Sequence, residues 1–99
     1  MHYIILGHDA PDSLPKRKSA RPEHLARVTE LRDAGRLVLA GPMPAIDSPD
    51  PGPAGFTGSL IVAEFADLAS AKAWAEADPY ITAGAWSHAD VRPFLKVMP

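Results

Sequence analysis

Ninety-nine residues leave room for a single domain over 1–99, since domains cluster near ~100 to 150 residues. A chain this short buries only roughly 60 to 65% of its surface. The absence of cysteine excludes disulfides and thiolate metal sites, so a second copy is the expected source of further burial and a homodimer the expected assembly. A net charge of -2 lacks the clustered Lys and Arg that bind phosphates, which sets nucleic acid aside as a partner.

Met1-His2-Tyr3-Ile4-Ile5-Leu6 has neither the basic start nor the length of a signal peptide, and no stretch approaches the ~20 apolar residues of a membrane span. The expected location is the cytoplasm, with no membrane partner. Tyr3 to Gly7 is a short apolar run that stops at His8-Asp9-Ala10-Pro11-Asp12, the pattern of a buried first strand. From Pro22, Leu25, Val28 and Leu31 recur at helical spacing and Gly35 supplies a stop, which predicts a helix to about Ala34. Ser13 offers an alternative start, as the cap of a turn beginning at Leu14-Pro15, with Pro22 then a kink inside a longer helix.

Arg36 to Ala40 predicts a second strand, closed by Gly41-Pro42. Pro44 to Gly55 is rich in Pro and Gly and is expected to be a loop. Ser59 to Phe65 predicts a third strand, and the Ala-rich stretch from Leu68 to Ala77, with Trp74, a second helix broken by Asp78-Pro79. After Tyr80 to Gly84, the alternation from Ala85 to Phe94 suits a strand with one exposed face. The order βαββαβ predicts an α+β fold of the ferredoxin-like, split-βαβ kind, a four-stranded antiparallel sheet with both helices on one side. The other side is expected to be covered by the sheet of a second copy.

His24 precedes Val28 by four and Leu31 by seven and therefore shares the inward stripe of the first helix. A carboxylate on one ring nitrogen would set its tautomer and leave the other nitrogen to move a substrate proton, and Asp78 and Asp9 are the two candidates. The plainer reading has His24 packed beneath the sheet with a nitrogen on backbone. Arg17, Arg21 and His24 fall at steps of four and three, which stacks two guanidinium groups beside the imidazole and suits a carboxylate or phenolate ligand. The plainer reading of the two arginines is a solvated basic end paired with Asp9, Asp12 or Glu23. Gly41-Pro42-Met43-Pro44 offers a backbone platform at a pocket mouth, although Gly-Pro is first of all a strand terminator. No histidine pair has zinc-site spacing along the chain, and no glycine pattern matches a phosphate loop, so neither a metal nor an organic cofactor is expected.

Arg21-Pro22-Glu23-His24-Leu25-Ala26-Arg27, Gly35-Arg36-Leu37, Ala40-Gly41-Pro42-Met43-Pro44-Ala45, Gly55-Phe56-Thr57-Gly58-Ser59, Ala77-Asp78-Pro79-Tyr80 and Val91-Arg92-Pro93-Phe94, taken in order, resemble the YciI-like (YCII-related) family over almost the whole chain. The resemblance implies a dimeric α+β barrel and a site centred on a histidine and an aspartate, which map to His24 and Asp78. Asp9, Arg17, Arg21, Pro42 and Tyr80 are the substrate-binding candidates around that pair. It further implies an enzyme without organic cofactor, akin to the family's dehydrochlorinases of chloroaromatic breakdown or to muconolactone-isomerase-like proteins of similar fold, acting on a small anionic or phenolic substrate by elimination or isomerisation. The alternative is a non-catalytic module that binds a small ligand or a partner protein.

Overall fold

The computed structural model describes residues 1–99. Its elements are β1 (His2–Asp9), α1 (Ser13–Asp33), β2 (Leu37–Pro44), a single 3-10 turn (Gly52–Ala54), β3 (Phe56–Glu64), α2 (Leu68–Glu76), α3 (Pro79–Thr82) and β4 (Trp86–Phe94). The four strands form one antiparallel sheet in the order β2-β3-β1-β4. This is the expected split-βαβ arrangement, with β1 and β3 central and β2 and β4 at the edges.

Period-two alternation gives each strand two faces. Tyr3 and Ile5 of β1 and Ile61 and Ala63 of β3 join Ala20, Val28 and Leu31 of α1 and Ala71 and Ala75 of α2 in one core. Ile5 and Ile61 are fully buried, each contributing about 1.5–3 kcal/mol over an exposed position. The opposite face carries Ile4, Leu6 and His8 of β1, only half-buried.

One alternative is decided and two expectations change. The first helix takes its early start: Ser13 is its first residue, Asp12 precedes it in a left-handed conformation without a side-chain cap, and Pro22 lies inside. Pro22 and Lys18, whose carbonyl loses its donor, are both exposed, so that carbonyl meets water and the helix continues. Leu25 is exposed, not part of the inward stripe. Gly41-Pro42 does not end the second strand, which runs to Pro44; β2 is an edge strand, where a residue without an N–H can face away from the ladder. No helix is long and apolar enough to cross a membrane.

Candidate functional site

The buried residues of α1 are Ser13, Arg17, Ala20, His24, Val28 and Leu31, one stripe at steps of three and four. The long helix places His24 at its middle, opposite the turn between α2 and α3 where Asp78 sits. His24 Nδ1 lies 2.9 Å from both Oδ1 and Oδ2 of Asp78, with the side chains 8% and 0% exposed. Asp78 also caps α3, its Oδ1 accepting from the Tyr80 backbone N–H at 2.9 Å. Its Oδ2 accepts from Arg27 Nη1 at 3.2 Å. An ionised carboxylate only accepts hydrogen bonds, so the proton between the pair belongs to Nδ1, and the neutral ring carries its lone pair on Nε2.

Packing holds the ring in that orientation. His24 stacks on Tyr80, with centroids 4.0 Å apart and planes 10° from parallel. The indole of Trp86 meets it at 5.5 Å and 79°. Trp86 comes close enough to β1 that a side-chain carbon on Gly7 would lie 2.2 Å from its Cε2, so only glycine admits the indole there. Trp86 Nε1 is buried with no hydrogen-bond partner, a cost borne where three aromatic rings meet.

Arg21, His24, Leu25, Pro42, Ser59 and Tyr80 are among the residues lining a cavity of about 230 Å³ between α1, α3 and the β2–β3 edge of the sheet. That volume falls below the ~300 to 1,000 Å³ typical of drug-sized ligands, so a single small ring is the scale that fits. Burial pushes the Tyr80 phenol up, against the opposing charges of Arg17 and Arg21, and the group is a hydrogen-bond donor at neutral pH.

Of the sequence candidates, the fold brings His24, Asp78, Arg21, Pro42 and Tyr80 together. Asp9 and Arg17 instead bind each other: Arg17 Nε donates to Asp9 Oδ2 and Nη2 to Oδ1, both at 2.7 Å. Ser13 Oγ adds a 2.6 Å bond to Asp9 Oδ2, and Arg17 Nη2 also reaches Gly58 O at 3.0 Å and Ser59 Oγ at 2.9 Å. Asp78, not Asp9, is therefore the partner of His24. Arg17 Cζ stands 5.2 Å from the Tyr80 ring centroid, so this network supports the ring that stacks on the imidazole. Arg21 is exposed and lines the cavity. Sequence reasoning passed over Arg27, although its place three residues after His24 aims it at the same neighbour. It also passed over Trp86, for which no local pattern gives a signal.

The sequence profile of the YCII-related domain matches residues 1–95. The chain belongs to the YCII-related family. Within that family it is 60% identical over 97 residues to Protein YciI of Escherichia coli and of Shigella flexneri, covering 98% of this chain and 99% of each relative. A protein of Haemophilus influenzae is 48% identical over 97 residues, with the same coverage. Among solved structures, the YCII-related chain is similar to the 5-chloro-2-hydroxyhydroquinone dehydrochlorinase of Burkholderia phenoliruptrix, determined with 2,5-dihydroxybenzoquinone. The TM-score is 0.83 at 24% identity, covering 96% of this chain and 94% of that one. At that identity the likeness speaks for a shared fold.

Proposed function

We propose that the protein is a small-molecule enzyme that uses His24 as a proton-transfer base, oriented by Asp78, on a small phenolic or anionic ring. The observation that carries this reading is the 2.9 Å contact between His24 Nδ1 and the buried Asp78 carboxylate at the edge of a cavity. With Nδ1 held, Nε2 is left to take a proton from a substrate placed in the cavity. In an elimination from a chlorinated hydroquinone, the electron pair of one broken O–H bond moves into the ring and a proton adds to the carbon bearing the leaving group. Nε2 then takes the proton of a second hydroxyl, whose electron pair moves through the ring to expel the leaving group with its bonding pair, and a quinone remains. In an isomerisation the same proton is delivered to another carbon. Arg21 supplies a permanent cation for a phenolate or carboxylate, and the Tyr80 phenol supplies a neutral donor. A module that only binds ligands has no need of a carboxylate behind its imidazole, so the pair supports the enzyme reading over that alternative. The dehydrochlorinase likeness supports an elimination, by analogy of fold.

The test is chloride release from 5-chloro-2-hydroxyhydroquinone by wild type and His24→Gln, together with turnover of other small phenolic acids. Wild type turns over at least one, and the variant loses it by ~10²–10⁴-fold with the fold intact. An unchanged rate in the variant overturns the proposal.

The working assembly proposed is a homodimer through the uncovered face of the sheet, where Leu39 and Phe94 are 49% and 39% exposed and Ile4, Leu6 and Leu60 are half-buried. A second sheet packed there would cover apolar surface of a kind monomers rarely leave contiguous.

A further inference from the structure

On the same uncovered face, at the corner where β1 ends and β4 begins, stands a cluster that the His24 site does not use. His88 and Asp90 alternate on β4 and so share a face. The β1–β4 register sets His8 directly opposite His88, and Leu6 opposite Asp90. One ring nitrogen of each histidine and one oxygen of Asp90 lie within 4.8 Å of one another. His8 Nε2 is 2.8 Å from Asp90 Oδ2, and the two imidazoles stack at 4.4 Å.

From this juxtaposition we infer a binding site for a divalent transition-metal ion of the zinc class, with His8, His88 and Asp90 as its three protein ligands and the fourth position left to a water molecule. Two imidazoles and a carboxylate are the donor set such an ion takes, at ~2.0–2.2 Å from each ligand atom. Atoms within 4.8 Å of one another need only small side-chain rotations to reach it. His8 and Asp90 are 37% and 46% exposed, so the rings have room to leave their stack.

The surroundings favour the metal-ready form of His88. Ser87 Oγ donates to the His8 carbonyl at 3.3 Å and lies 2.9 Å from His88 Nδ1. With its own hydrogen directed to that carbonyl, the hydroxyl accepts from Nδ1–H and leaves the lone pair of His88 on Nε2. This is the outer hydrogen bond that fixes a ligating histidine. At His8 the ion takes the place of the hydrogen between Nε2 and Asp90 Oδ2, and a neutral ring then carries its proton on Nδ1. The pattern escapes a search for ligand spacing along the chain, because His8 and Asp90 are separated by 82 positions and meet only through strand register.

The probe is zinc chloride titrated into the full-length chain by isothermal calorimetry, with the histidine ring resonances followed by NMR. The expected result is one ion per chain, with the His8 and His88 resonances shifted and those of His24 unmoved. His8→Gln, His88→Gln and Asp90→Asn each weaken binding by more than the ~10-fold that loss of an outer hydrogen bond costs, while His2→Gln binds as wild type does. All four positions lie on the sheet surface, and circular dichroism checks that the variants fold. Binding that survives all three ligand substitutions, binding lost on His24→Gln, or no saturable binding overturns the assignment.

Discussion

Separated by 54 positions in the chain, His24 Nδ1 and the Asp78 carboxylate meet at 2.9 Å, with both oxygens equidistant from the nitrogen. Asp78 performs two tasks with one side chain, since Oδ1 also caps α3 through the Tyr80 N–H. The short helix that carries Tyr80 and the tautomer of His24 thus depend on the same carboxylate.

Asp78→Asn separates those tasks. The amide oxygen can still cap α3, but the side chain can now offer an N–H to the imidazole and draw the neutral ring into the opposite tautomer. Long-range proton–nitrogen spectra should show Nδ1–H in wild type and Nε2–H in the variant, with turnover reduced by as much as ~10⁴-fold, the scale seen when a catalytic histidine is forced into the wrong tautomer. An unchanged tautomer with unchanged turnover would remove Asp78 from the mechanism.

The Asp9–Arg17 pair is 3% and 8% exposed, and its value lies in mutual neutralisation. Arg17→Met leaves a buried carboxylate with Ser13 alone and should cost about 3–5 kcal/mol in urea unfolding. Asp9→Asn combined with Arg17→Met should recover a large part of that loss, because no uncompensated charge remains. Equal destabilisation by the single and double variants would contradict this account.

Gly7→Ala should be among the most damaging single-carbon additions in the chain. The new carbon would sit 2.2–2.6 Å from three indole atoms of Trp86, and Trp86 is itself 1% exposed. Overpacking of this kind costs about 1–3 kcal/mol, and the loss should shrink in a Trp86→Leu background, as a thermal unfolding series would show.

Leu39→Glu places a charge on the half-exposed apolar position of β2 without touching the core. If two sheets pair through this face, sedimentation velocity should show a dimer for wild type and a monomer for the variant. A monomeric wild type at all concentrations would end the dimer proposal.

The Tyr80 phenol, raised by burial, predicts how stability changes at alkaline pH. Above the unfolded value of about 10, the unfolded chain loses this proton first and binds fewer protons than the native state. Stability therefore falls as pH rises from about 10 toward the higher native value, and is unaffected by this group at lower pH. Tyr80→Phe should flatten that alkaline slope when unfolding free energies are compared on either side of pH 10.

Much of the frame was legible along the chain. The apolar run Tyr3 to Gly7, the stripe His24, Val28 and Leu31, and the alternation from Ala85 to Phe94 each express a period of two or 3.6, which neighbours in sequence enforce on one another. The inward direction of His24 followed from the same periodicity. Pro22 left the helix start open and Pro42 misled, because proline's cost depends on what faces the missing N–H, which is water at the exposed helix face and an unpaired edge at β2.

By itself, the sequence determined the α+β element order, the inward face of the first helix and the presence of an imidazole upon it, because those properties depend on contacts within a few residues. Tertiary structure alone decided that Asp78 reaches His24 while Asp9 reaches Arg17, that Trp86 closes over Gly7, and that His8, His88 and Asp90 share one corner of the sheet. Partners 54 and 82 positions apart are chosen by strand register and helix length, and no local pattern encodes a distance set by the packing of the whole chain.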